Sequence, residues 1–232
     1  AEMCAGRMLT CRPLQKSGGN HKVEKAMQTQ ILTMLALQDS MNNKVHPQWR
    51  EQGYQWYRAI WVECAELMDH YGWKWWKKQQ PDVEQVKLEL IDIWHFGLSD
   101  LLMQHESVDV LAETLETALR ESYAVQEFRT ALENFVQITL NARAFDLVAF
   151  AHLMAAADLD FDGLYCGYVG KNVLNFFRQD HGYKDGSYIK VWSGREDNEH
   201  LVELTAELDA SSATFKDDLY AALSKRYAEL AK

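Results

Sequence analysis

The chain has 232 residues, 47% of them hydrophobic, and 24 Lys and Arg against 34 Asp and Glu give a net charge of −10. This length allows one large domain or two small ones with a substantial core, and no apolar run approaches the roughly 20 residues of a membrane helix, so a soluble protein is expected. A chain this acidic is a poor candidate for non-specific binding to nucleic acid or an anionic membrane, and any phosphorylated ligand calls for divalent cations to offset the charge.

The first 26 residues, with Gly18-Gly19-Asn20, have neither a helical period nor a long apolar stretch. They are expected to form a disordered extension with no secretory signal. From residue 27 onward the chain reads as one domain, 27–232. Its prolines, Pro13, Pro47 and Pro81, fall at element boundaries, and between them apolar residues recur three and four apart, the helical spacing. Met27, Ile31, Met34, Leu35, Met41 and Val45 predict a first helix that stops near Pro47. Tyr57, Ile60, Trp61, Cys64, Leu67 and Met68 predict a second, and Val86, Leu90, Ile93, Trp94, Leu98 and Leu101 a third from 83 to 105. Helices are also predicted over 108–123, 125–141, 144–157, 164–177, 201–208 and 215–231. Strand-like alternation is confined to 188–192, within a glycine-punctuated stretch. The expected fold class is all-α, a compact multi-helix array with a short irregular, mobile segment near 180–198.

Cys4, Cys11, Cys64 and Cys166 show no C-x-x-C spacing and no accompanying histidine pair. Free thiols in a reducing, cytoplasmic setting are expected.

Two acidic pairs carry the first chemical signal, Glu63-x-x-Glu66 and Glu89-x-x-Asp92. Residues three apart share a helix face, and a short connection between the second and third helices favours antiparallel packing. The four carboxylates can then converge, and four oxygen ligands suit Mg²⁺ or Mn²⁺, which also take phosphate oxygens. E-x-x-E is common on solvated helices, but here each pair is embedded among large apolar residues, Ile60, Trp61 and Leu67 around one, Leu88, Leu90, Ile91 and Trp94 around the other.

Lys171, Asn175 and Arg178, spaced by four and three, share one face of a later helix and make a candidate phosphate clamp, the arginine offering a planar fork of donors. A glycine-bounded loop, His181 to Gly186, follows and leads to Lys190 and then Asn198. The link Trp73-Lys74-Trp75-Trp76-Lys77-Lys78 could be core, or could offer a flat surface to a nucleobase. His95, three residues beyond Asp92, suits either a sugar hydroxyl or a satisfied core position.

In order and combination these segments resemble the dimeric all-α dUTPases of the all-α nucleoside triphosphate pyrophosphatase superfamily. The match is carried by Leu37-Gln38-Asp39, by Trp61 to Glu66 with Trp73 to Lys77, and by VKLELIDIWHF at 86–96. GKNVLNFFRQDHGYK at 170–184 and YIKVWSGREDN at 188–198 extend it. The resemblance implies hydrolysis of dUTP, and also dUDP, to dUMP, with pyrophosphate released from dUTP. This would limit uracil incorporation into DNA. It further implies a homodimer with about two or three Mg²⁺ ions per site. Glu63, Glu66, Glu89 and Asp92 would be the metal ligands, with Glu63, or failing it Glu66, activating the water. Gln38, Asn42 and Trp75 would recognise uracil, and His95 the deoxyribose. Lys171, Asn175, Arg178, Tyr183, Lys190 and Asn198 would bind the phosphates. A relative preferring dCTP or a wider range of nucleotides, or a non-catalytic nucleotide-binding protein, would look similar at most of these positions.

Overall fold

The computed structural model describes residues 20–209, 212 and 214–231, with side chains from residue 26 onward. The expectation of a disordered extension falls almost wholly outside the described residues. Those residues form nine α-helices and one two-stranded hairpin, the all-α class that the apolar spacing predicts. The helices are α1 Asn20–Val45, α2 Trp56–Tyr71, α3 Val83–Gln104, α4 Val108–Arg120, α5 Phe128–Ala142, α6 Leu147–Ala156, α7 Phe161–Asp180, α8 Asp197–Glu207 and α9 Phe215–Leu230. β1 is Val191–Trp192 and β2 is Arg195–Glu196. Among the described residues no helix is long and apolar enough to cross a membrane.

Local chemistry sets the helix boundaries. The side chains of Asp82, Ser107, Glu127 and Asp146 each accept a backbone N–H at the start of α3, α4, α5 and α6, which satisfies donors that a helix leaves open. Helix α1 starts at Asn20 rather than at Met27. Residues 21–26 supply Lys22, Glu24, Lys25 and Ala26, whose intrinsic propensity supports a helix without an apolar stripe.

The chain divides into two compact units, one of residues 18–168 and one built on 169–232. In the first, α2 packs along α3, α1 against α3 and α4, and α5 against α6 and α2. The α2–α3 pair is antiparallel. Trp56 at the start of α2 bonds Met103 near the end of α3, while His70 near the end of α2 accepts the backbone N–H of Asp82, the α3 cap. Helix α3 is buried around most of its circumference, with Leu90, Ile91, Ile93, Trp94 and Leu98 fully enclosed; each such side chain stabilises the fold by about 1.5–3 kcal/mol. Trp94 stacks on Phe150 at 5.2 Å and meets Phe145 edge-on. Gly167 on α7 lies so close to α3 that a Cβ there would overlap Ile91 Cδ1.

In the second unit the later part of α7, α8 and α9 surround Phe177, Trp192, Leu201, Leu219 and Leu223, all buried. The strand-like stretch 188–192 contributes only two paired residues, with Val191 opposite Glu196 and Trp192 opposite Arg195. The rest of the alternation serves side-chain contacts. Tyr188 stacks on Tyr227, and the Ile189 N–H donates to the Tyr227 hydroxyl.

Cys64 is a buried free thiol, as expected. Cys166 is not, since it is disulfide-bonded. This corrects the free-thiol expectation at that residue, because spacing along a chain does not reveal which cysteines the fold brings within bonding reach.

Candidate active site

Three of the four acidic residues converge. Glu63 from α2 and Glu89 and Asp92 from α3 each offer an oxygen, and these atoms all lie within 4.8 Å of one another. The placement follows from the helix faces. Glu63 precedes buried Cys64 in the stripe Ile60, Cys64 and Leu67, and Glu89, itself buried, lies within the enclosed run of α3. Burial, then the charges of Asp92, Glu89 and Glu66, push the Glu63 carboxyl up from 4.5 to about 8. Three carboxylates this close repel one another unless a proton or cation intervenes. Hard oxygen donors with high anionic density fit a divalent cation such as Mg²⁺. Glu66 stands exposed and is not one of the three, although its charge is among those raising Glu63. His70, absent from the sequence-based set, instead places Nε2 3.6 Å from Glu89 Oε1.

A second polar cluster links α1, α3 and α7 within the same unit. Gln38 and Asn42 continue the buried stripe Ile31, Met34, Leu35 and Met41, and are themselves only 4% and 6% exposed. Gln38 Nε2 donates to Asn42 Oδ1 and to Ser99 Oγ, both at 3.0 Å. Gln38 Oε1 accepts from the Tyr168 hydroxyl at 3.0 Å and from His95 Nδ1 at 2.8 Å. A carbonyl oxygen can only accept, so His95 donates to it through a proton on Nδ1. Asn42 Nδ2 donates to Ser99 Oγ at 3.0 Å, and Ser99 in turn donates to the His95 carbonyl at 3.0 Å. His95 stacks on Tyr168 at 4.3 Å. Three of the residues expected at the nucleoside, Gln38, Asn42 and His95, therefore share one network. Ser99 and Tyr168, which hold it together, were not singled out from sequence. The signal for Ser99 was its position four residues beyond His95, on the same α3 face.

Trp75 does not join this network. It is 90% exposed and meets Trp76 edge-on. The link that carries it is anchored at its base by Arg129 of α5, whose Nε and Nη2 both donate to the Gly72 carbonyl. Gln79 Oε1 accepts the Lys74 N–H at 2.6 Å.

In the second unit most of the expected phosphate-binding residues converge. Lys171 Nζ donates to Asn198 Oδ1 at 3.0 Å, and Arg178 lies 3.3 Å from Asn175 Oδ1 and 3.4 Å from Asn198 Oδ1. The Tyr183 ring lies 5.7 Å from the Arg178 guanidinium. Lys190 pairs instead with Glu196 at 3.0 Å, both about half exposed. The residue missed here is Asp197. Fully buried, it accepts both Nε and Nη2 of Arg178 at 2.8 Å, and the Tyr188 hydroxyl at 2.8 Å. Burial alone would raise its carboxyl, but the Arg178 fork, the Tyr188 hydroxyl and the Lys171 charge outweigh that and hold it below the ordinary range.

Comparison with known proteins bears on this arrangement. A family model described as dUTPase matches residues 30–183, well over half of the chain and inclusive of the acidic cluster and the Gln38 network. A search of curated proteins returns no match. The chain belongs to the all-α dUTPase family, the dUTP diphosphatases.

Proposed function

We propose that the chain hydrolyses dUTP to dUMP and pyrophosphate, with dUDP as a second substrate, at a Mg²⁺ centre held by Glu63, Glu89 and Asp92, with Glu66 completing the set. The observation that carries this reading is the convergence of three carboxylate oxygens within 4.8 Å in a family of metal-dependent enzymes. Mg²⁺, replaceable by Mn²⁺, supplies neutralisation of the triphosphate and activation of the attacking water.

The chain's own groups do the rest. Glu63 is the base that orients the water and takes its proton, with Glu66 one turn along the helix as the nearest substitute. Lys171, Arg178 and Asn198 bind phosphate oxygens and stabilise charge on the leaving pyrophosphate, and Asn175, Tyr183 and Lys190 support them. His95 contacts the deoxyribose 3′-hydroxyl. Asn42 and Gln38 read the imide edge of uracil, with Trp75 as the stacking surface. All four hydrogen-bonding positions of Gln38 are engaged internally, so base recognition through this amide exchanges an internal bond for one to the base. The exposed Trp61, Val62 and Trp73 support a homodimer, since such apolar residues favour burial against a second copy.

The test is pyrophosphate release from dUTP, dCTP, dTTP and dATP, with Mg²⁺ and after chelation. The proposal expects turnover of dUTP far above the others, lost on chelation. Equal rates on dCTP would remove the uracil assignment, and metal-independent turnover would remove the metal centre.

A further inference from the structure

Asp197 and Tyr188 lie beyond residue 183, where the family model's match ends, and within the 188–198 run that extends the resemblance. We propose that Asp197 is a positioning residue of the phosphate-binding cluster, holding the Arg178 fork, with Tyr188 as its brace, in the orientation that binds pyrophosphate oxygens. This inference rests on the assignment of Lys171 and Arg178 to the phosphates.

Asp197 has no exposed surface and the Arg178 side chain is only 11% exposed. Removing both charges from water is expensive, and a buried ion pair seldom stabilises a fold better than apolar residues of the same volume. What the pair does provide is orientation. Two parallel N–H···O bonds of 2.8 Å fix the guanidinium plane. The carboxylate is itself fixed on three sides. Its residue opens α8, the Asp197 backbone N–H donates to the Lys190 carbonyl at 3.0 Å, and Tyr188 donates to Oδ2. Tyr188 in turn stacks on Tyr227 at 5.4 Å with the rings 8° apart.

Two further contacts of Arg178 are longer, 3.3 Å to Asn175 and 3.4 Å to Asn198. They are the ones a phosphate oxygen would replace. Asn198 also holds Lys171, so a ligand arriving there meets both cations together.

Two roles for Asp197 predict opposite signs. If it were only a counter-charge, its removal would raise the positive potential of the cluster and tighten anion binding. As a positioning residue, its removal frees the fork and weakens binding. The probe is inorganic pyrophosphate, titrated calorimetrically without divalent metal into the full chain and into Asp197→Asn and Tyr188→Phe. Weakening of about tenfold or more is expected for Asp197→Asn and a few-fold for Tyr188→Phe. With dUTP the same variants should raise KM more than they lower kcat. Near-ultraviolet circular dichroism reports folding. Should Asp197→Asn not fold, Tyr188→Phe, which leaves the ion pair in place, decides alone. Unchanged or tighter pyrophosphate binding in a folded variant overturns the proposal. A wild-type chain that binds pyrophosphate but turns over no nucleotide would refute the hydrolase reading, and the variants would still decide the role of Asp197.

Discussion

Replacing Glu63 with Gln should make the metal-free protein more stable and the enzyme inactive. The first half follows from the electrostatics of the cluster. The Glu63 carboxyl is ordinary in the unfolded chain, near 4.5, and is pushed to about 8 in the fold by burial and by its acidic neighbours. A carboxyl whose folded value is raised costs stability once pH exceeds the unfolded value, and the cost grows until pH reaches the folded one. Between 4.5 and pH 7 the full difference would be about 3 kcal/mol. Glu63 keeps part of its surface in water, so about 1–2 kcal/mol survives screening. Glutamine has the same shape and no charge, and its metal-free melting temperature should rise by about 3–8 °C at pH 7, with little change near pH 4. The second half follows from the proposed site. Mg²⁺ should raise the melting temperature of the wild type but not of the variant, and dUTP turnover should fall by about a thousandfold or more. Differential scanning calorimetry with and without chelator, alongside pyrophosphate release, gives both readings. A metal-free variant less stable than wild type, or one that retains turnover, would refute the reasoning.

Other substitutions address separate parts of the structure. Ser99→Ala removes the oxygen that accepts from both Gln38 and Asn42 and leaves two buried N–H donors short of a partner, so thermal unfolding should show a loss of about 2–4 kcal/mol, with KM for dUTP rising more than kcat falls. Asp197 titrates below its ordinary range, so its contribution is complete above about pH 4 and is lost as pH falls through the folded value. Tyr188→Phe removes one bond that lowers it, and acid unfolding followed by tryptophan fluorescence should then begin at higher pH. Gly167→Ala should cost about 1–3 kcal/mol through overlap with Ile91 Cδ1. Ile91→Val, which deletes that methyl, should recover part of the loss in the double mutant.

The helices were legible because they rest on local pattern. Ile60, Cys64 and Leu67, or Ile31, Leu35 and Met41, mark a buried face wherever the chain later goes. The convergence of Glu63, Glu89 and Asp92 was legible for a related reason, since two helices joined by a short link can bring their matching faces together. What sequence did not show depends on tertiary partners. Glu66 has the same spacing credentials as Glu63, yet it stands exposed outside the trio, while His70 lies beside Glu89. Lys190 lies in the right segment but pairs with Glu196. Asp197 stood within the quoted run Gly194 to Asn198, and only the fold shows Arg178 opposite it. The Cys166 disulfide is of the same kind.

The central claim is that Glu63, Glu89 and Asp92 hold the divalent cation that dUTP hydrolysis requires. It is tested most directly by counting Mn²⁺ bound to the full chain by electron paramagnetic resonance, with a non-hydrolysable dUTP analogue present, for wild type and for Glu89→Gln. The account predicts nucleotide-dependent Mn²⁺ binding to the wild type, displaced by Mg²⁺, and at least about tenfold weaker in the variant. Binding of equal strength in the two proteins would contradict it.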